Sequence, residues 1–424
     1  MHLSLELETS PLSFHSLSFL EEGDEVVIGR ADIDSYGVFP HDGAAVLQEL
    51  RDGRPPADAA AWYEATYRQP VDMEAFLETL RELHFLREDA DGNEDADEPR
   101  PIRWQRLGRV LFSAPAWVCY ALVVAAAVAA SVHDPRLVPR LRNVFFSDYL
   151  LLVELTVVGG QVALSLLHEG FHVLAGRRLG LASSVRISRR LYFVVFETVL
   201  DGLAVVPRRK RYLPILAGML ADVLVVAILT LAAYLSRQDD GSISLVGGVC
   251  LALAFTTLPR IVWQFYFFLR TDVYYLVTTM LACVDLETAT RGLLRNRLNA
   301  LLGRHERLLD EEAWHPRDRH VARWYAPLFV AGYGVAIAML VVVVAPLAWQ
   351  FLGGAFQKVF LDDALSPAEY WDSVALLLLI GVQLALAAAI AIRDRRRRAS
   401  QSPEPREPSR PAEPPAPAEQ PSPA

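Results

Sequence analysis

Ser165-Leu-Leu-His-Glu-Gly-Phe-His172 sits inside an apolar run, 149–175, that is long enough to cross a bilayer. Ionisable side chains are costly in hydrocarbon, so three of them within five residues mark a functional site. His168, Glu169 and His172 also have the H-E-x-x-H spacing of a zinc site. On a helix, positions i and i+4 share a face, so both imidazoles can reach one metal ion. Glu169 is then placed as a general base toward water at that metal.

Composition agrees with a membrane domain that carries soluble appendages. The chain has 424 residues, of which 53% are hydrophobic and 21% charged, with a mean hydropathy of +0.24. The net charge of −9 says little, because the charges are segregated along the chain. Cys119, Cys250 and Cys283 lie in or beside apolar segments and form no C-x-x-C pair, which argues against a disulfide framework and a cysteine zinc site. The N-terminus lacks the basic-then-apolar pattern of a signal peptide.

Six segments are apolar enough to span: 110–132, 149–175, 213–235, 243–269, 325–352 and 372–392. Basic clusters flank them at Arg100–Arg109, Arg177–Arg190, Arg208–Arg211, Arg291–Arg323 and Arg393–Arg398. With the N-terminus in the cytoplasm all five fall inside, so both termini are expected there and the cell (inner) membrane is the expected location. The exception is the loop 133–147, whose Arg136, Arg140 and Arg142 would lie outside. His172 precedes Arg177 by five residues, which puts it about 8 Å from the cytoplasmic boundary at 1.5 Å per residue.

The segment Leu191-Tyr-Phe-Val-Val-Phe-Glu-Thr-Val-Leu200 is apolar but too short to span, and basic runs bracket it. It reads as a re-entrant hairpin or short β segment entering from the cytoplasm, or equally as an interfacial amphipathic segment. Glu197 and Asp201 give it polar functionality, and a strand edge there would suit an extended substrate.

A catalytic zinc takes three protein ligands and water, so one ligand is missing. Asp272, at the cytoplasmic end of the fourth span, is on the same side as His172. Asp222 is a carboxylate in the apolar run Leu216–Val225 and could instead orient an imidazole. Glu197 and Asp201 are weaker candidates. Spacing alone favours reading Asp272 as a helix-terminal charge at the interface over a metal ligand.

The region from about Gln161 to Tyr275 resembles the intramembrane zinc metalloproteases of the site-2 protease family, in particular the putative peptide zinc metalloprotease branch. That family carries H-E-x-x-H, then A-G-P-x-x-N, then N-x-x-P-x-x-x-x-D-G-Y-Y. Here these stand as His168-Glu-Gly-Phe-His172, Ala217-Gly-Met-Leu-Ala-Asp222, and Gln264 through Asp272-Val-Tyr-Tyr275. The resemblance implies that Asp272 is the third zinc ligand and that Gln264 and Asp222 occupy substrate-side positions. The chain departs from the pattern at Met219, Asp222, Gln264, Phe267 and Val273. The metal ligands and base are thus retained while the substrate-side residues are altered.

Residues 1–88 read as a separate domain. Glu25-Val-Val-Ile-Gly29 and Ser35-Tyr-Gly-Val-Phe39 predict two strands, followed by helices at His41–Leu50, Ala57–Arg68 and Asp72–Leu86. Phe76, Leu80 and Leu83 make the last helix amphipathic. This winged-helix-like α+β order resembles the PqqD-like domains, which implies binding of a leader peptide. The module carries no basic stripe, so nucleic acid is not expected as a partner.

The remaining stretches are an acidic linker and basic flank at 89–105, a metalloprotease membrane core at 106–290, a charged connector at 291–323, a C-terminal transmembrane pair at 324–393, and a tail at 394–424. The acidic residues Glu88–Glu98 read as solvated, and the Pro-rich tail as disordered. The cluster Arg393–Arg398 reads as stopping translocation and touching anionic lipid. The expectation is a mainly α, polytopic zinc metallopeptidase acting on a membrane-associated or leader-bearing peptide. The rival is a zinc-binding membrane partner in peptide maturation or export that performs no proteolysis.

Overall fold

The computed structural model describes residues 11–400, apart from 31, 34, 88–101, 191–192 and 362–365. The acidic linker and the tail beyond residue 400 therefore lie outside the described residues. The chain is mainly helical and divides into two compact units, Met1–Asp148 with Leu152–Pro346, and Tyr149–Leu151 with Leu347–Ala424.

The first unit opens with an antiparallel sheet of three strands, β1 (Ser18–Glu22), β2 (Glu25–Arg30) and β3 (Ser35–Pro40), paired in that order. The sequence reading had two strands. The third, Ser18-Phe-Leu-Glu-Glu, pairs with β2 across the tight turn at Gly23, from Ser18 opposite Gly29 to Glu22 opposite Glu25. Gly23 sits at φ +69°, a left-handed conformation that glycine adopts without a Cβ penalty. Helices α1 (His41–Arg51), α2 (Pro56–Tyr67) and α3 (Met73–Glu82) then cover the sheet. Ile28, Val46, Leu47, Leu50, Leu80 and Phe85 form the buried centre of this module. Asp72 caps α3 by accepting from the Ala75 N–H at 3.0 Å. The helix stops at Glu82, short of the expected Leu86. His84 turns left-handed at φ +56°, which sends Phe85 into the core.

Helices α4 (Gln105–Leu111) and α5 (Ala114–His133) follow, then α6 (Leu150–Arg178). A β-hairpin, β4 (Ala182–Arg190) and β5 (Phe193–Asp201), precedes α7 (Arg208–Leu235) and α8 (Leu245–Trp263). After α8 come α9 (Asp272–Leu281), α10 (Leu286–Leu301) and α11 (Pro316–Met339). A π turn at Leu340–Val344 leads into α12 (Ala345–Phe360), and α13 (Pro367–Ser400) is the last helix described.

Among the described residues, six helices are long and apolar enough to cross a membrane: Ala114–His133, Leu150–Arg178, Arg208–Leu235, Leu245–Trp263, Pro316–Val342 and Pro367–Ile390. The fourth and fifth spans differ most from the sequence reading. The fourth ends at Trp263 rather than 269, because a short 3₁₀ turn at Phe267–Leu269 and a left-handed Arg270 break the helix. The fifth begins at Pro316 rather than 325, because Asp318 is drawn inward to accept the N–H groups of Val284 and Asp285 at 3.0 and 2.7 Å.

Of the three arginines in the loop 133–147, Arg136 is held in an ion pair. The Asp134 carboxylate accepts from the Arg136 backbone N–H at 3.0 Å and pairs with the guanidinium groups of Arg136 and Arg237. The Arg136 bonds hold its carboxyl down at about 2. The loops after α5 and after α7 therefore meet at one end of the first unit.

Candidate metal centre

Helix α6 carries His168, Glu169 and His172 on one buried face. The two imidazoles lie one turn apart, with Nε2 atoms 3.2 Å from each other. Each ring is fixed from behind through Nδ1. His168 Nδ1 lies 3.0 Å from Asp222 Oδ2, and His172 Nδ1 lies 2.7 Å from the Pro214 carbonyl oxygen. With an acceptor at each Nδ1, the rings carry the proton there and present the Nε2 lone pairs forward.

Asp272 meets those lone pairs. It opens α9, where a carboxylate suits the positive end of the helix dipole. Its Oδ2, however, lies 3.4 Å from His168 Nε2 and 3.3 Å from His172 Nε2. That oxygen is buried without a hydrogen-bond partner. Gln264, at the C-terminus of α8, holds the intervening loop. Its Oε1 accepts from the Asp272 N–H at 3.1 Å, and its carbonyl accepts from the Thr271 hydroxyl at 2.6 Å.

The three ligand atoms make a nearly equilateral triangle with sides of 3.2, 3.3 and 3.4 Å. Ligands at 2.0–2.1 Å around a tetrahedral zinc stand about 3.3 Å apart, so the set fits without rearrangement. His168, His172 and Asp272 are the group among the described residues able to hold a metal ion. Two histidines and one carboxylate leave a fourth position for water, as in open catalytic zinc sites. Gly218 on α7 makes room for the pair. A Cβ there would stand 2.3 Å from His172 Nε2 and 2.4 Å from His168 Nε2.

Glu169 faces the same space and is tied to the hairpin. Its Oε2 accepts from the Thr198 hydroxyl at 2.7 Å, across to β5. The hairpin pairs Ala182 with Asp201 and Arg190 with Phe193. By sequence, 191–200 reads as a re-entrant hairpin or short β segment or, equally, an interfacial amphipathic one. The structure makes Phe193–Asp201 strand β5 and pairs it with β4, whose serines and arginines read as polar. A cavity of about 800 Å³ runs over the site. Val157, Val162, His168, Glu169, His172, Asp272 and Phe196–Leu200 of β5 all line it.

The other sequence candidates separate. Asp222 is fully buried and stands behind His168, on the side away from Nε2, so it orients rather than completes the triangle. Gln264 and Glu197 both line the cavity. Glu197 is opposite Arg186 in the hairpin, and Asp201 ends β5 outside the cavity lining.

Three contributors were missed: Thr198, the Pro214 carbonyl and Arg260. Arg260 lies within α8 and engages both Asp222 oxygens, with Nη2 2.5 Å from Oδ1 and Nε 3.2 Å from Oδ2. An arginine inside an apolar span was the available signal. A backbone carbonyl leaves no signal at all.

Fold and site together define a mainly helical protein with, among the described residues, six helices long and apolar enough to cross a membrane and a His/His/Asp cluster beside a buried glutamate. No family model, curated protein or solved structure matches the chain.

Proposed function

We propose that the chain is an intramembrane zinc metallopeptidase of the site-2 protease kind. It would hydrolyse a peptide bond in a membrane-associated or leader-bearing peptide. The observation that carries this reading is the 3.2–3.4 Å triangle of His168, His172 and Asp272 with Glu169 beside it in one cavity. A zinc ion held by that triangle would supply Lewis-acid polarisation of the scissile carbonyl and activation of water. Glu169 takes the proton of the attacking water and delivers it to the departing nitrogen. Strand β5 pairs with β4 along one edge, and among the described residues no strand covers the other. An extended substrate lying along that edge would bring its backbone to the metal.

Several further points belong to the same proposal. The hairpin enters the membrane from the cytoplasmic side, the termini are cytoplasmic, and the location is the cell membrane. The N-terminal module, a three-stranded sheet under three helices, binds a leader peptide in the manner of PqqD-like domains. Its contact with the core supports delivery: Glu22 accepts from Arg208 Nε at 2.8 Å and from Arg211 Nη2 at 3.0 Å.

One observation favours a second reading, a zinc-binding partner without peptidase activity. Gln264 spends its Oε1 on the Asp272 backbone rather than on a substrate. The deciding experiment measures zinc content and cleavage of apolar model peptides in detergent micelles for wild type and E169Q. Peptidase action requires both proteins to hold one zinc and only wild type to cleave. Equal cleavage by E169Q would refute the assigned base, and zinc without cleavage of any peptide would favour the second reading.

A further inference from the structure

We propose that Arg260 is a positioning residue for the metal site, acting through Asp222 on His168. The inference rests on the metal reading above and concerns how the chain prepares its ligands. Asp222 is 0% exposed, and its carboxylate bridges two groups. Oδ2 takes His168 Nδ1 at 3.0 Å and Arg260 Nε at 3.2 Å, while Oδ1 takes Arg260 Nη2 at 2.5 Å. The two-point grip fixes the carboxylate plane as a single contact cannot. The carboxylate in turn fixes the azimuth of the His168 ring.

The guanidinium is itself anchored to the helix that carries the histidines. Arg260 Nη1 donates to Gln161 Oε1 at 3.2 Å and to Ser165 Oγ at 3.0 Å. Ser165 precedes His168 by three residues and Gln161 precedes it by seven, so all three share a face of α6. Gln161 is held from α8 through its Nε2, 2.7 Å from Thr256 Oγ1. One cation thus ties together α6, α7 and α8 directly behind a metal ligand. Four of its five N–H groups are committed to protein acceptors, so its part is internal even though it lines the cavity.

Charge explains why both residues are needed. An aspartate without its arginine would be a buried uncompensated anion pulling on His168. An arginine without its aspartate would be a buried uncompensated cation. Neutralising both together, as in D222N/R260Q, would still offer an acceptor to the His168 Nδ1–H and would leave no charge unpaired.

The test is zinc affinity, measured by competition with a chromophoric chelator in detergent, with folding checked by circular dichroism. R260Q is expected to weaken zinc binding about 10- to 100-fold, the usual effect of removing a partner behind a metal ligand. R260K, which keeps the charge but loses the two-point grip, is expected to fall between. D222N/R260Q is expected to recover most of the loss. If R260Q does not fold, the double variant decides: affinity within about tenfold of wild type supports the proposal, and a larger loss overturns it. Unchanged affinity in folded R260Q, or a double variant no tighter than R260Q, would also overturn it. Wild type that holds zinc but cleaves nothing would remove the peptidase reading and leave the role of Arg260 standing. Wild type that holds no zinc would overturn both.

Discussion

The Thr198 hydroxyl donates to the Glu169 carboxylate at 2.7 Å, so the general base of the proposed reaction is aimed by strand β5 as well as by its own helix. A hydrogen bond to a charged acceptor contributes about 1.5–3 kcal/mol. T198V is therefore expected to lower kcat about 10- to 100-fold with zinc content unchanged. T198S should keep most of the activity. Steady-state kinetics on the three proteins at matched zinc loading would show it, and an unchanged kcat in T198V would refute the coupling.

Gly218 gives a prediction in which two effects oppose. Alanine is the better helix former by about 1 kcal/mol, so helix propensity alone favours G218A. Yet the new Cβ would stand within 2.4 Å of the Nε2 atoms of His168 and His172, the atoms proposed to hold the metal. The substitution is expected to leave helix content intact and abolish zinc binding. Circular dichroism and metal analysis on one preparation would separate the two effects.

Asp272 is the one carboxylate of the triangle proposed to hold zinc. Ligand binding to the folded state adds about 2.7 kcal/mol of stability at a hundredfold excess over Kd. Zinc added to the metal-stripped wild type should raise its melting temperature. D272A should show little or no rise at the same concentration. An equal rise in both would place the metal elsewhere.

Glu22 accepts from the Arg208 backbone N–H at 3.2 Å and from the side chains of Arg208 and Arg211. The contact is partly solvated, so the surface value of about 1 kcal/mol applies. E22A is expected to speed amide hydrogen exchange in β1, β2 and the segment 203–211 roughly fivefold. Exchange in α1 should be unaffected. Identical exchange in β1 and β2 would mean that the carboxylate holds nothing.

How much could be read in advance depended on how local each feature is. His168, Glu169 and His172 lie within one turn and a half of a single helix, so their shared face follows from spacing. Asp272 is about a hundred residues away, and only the resemblance to a known motif singled it out. The break that places it was hidden, because Phe265–Leu269 are as apolar as the span before them. Strand β4 escaped notice because Ser183, Ser184, Arg186 and Ser188 look like a polar loop. Its partner β5 was half visible through its apolar residues. The orientation of His172 depends on the Pro214 carbonyl, and every residue has a carbonyl. Arg260 and Asp222 were each odd in an apolar span, but their pairing across two helices required coordinates.

Under the proposed function, the clasp between Glu22 and the start of α7 has a consequence for selectivity. Leu203 lines the cavity, and strands β1 and β2 pack beside the 3₁₀ turn Leu203–Val205. A peptide held by the N-terminal module would present its remaining length to the cavity as an intramolecular neighbour, at an effective concentration on the order of millimolar. The cavity then needs little affinity of its own. Choosing among peptides would then fall to the module, and the cavity would accept many sequences.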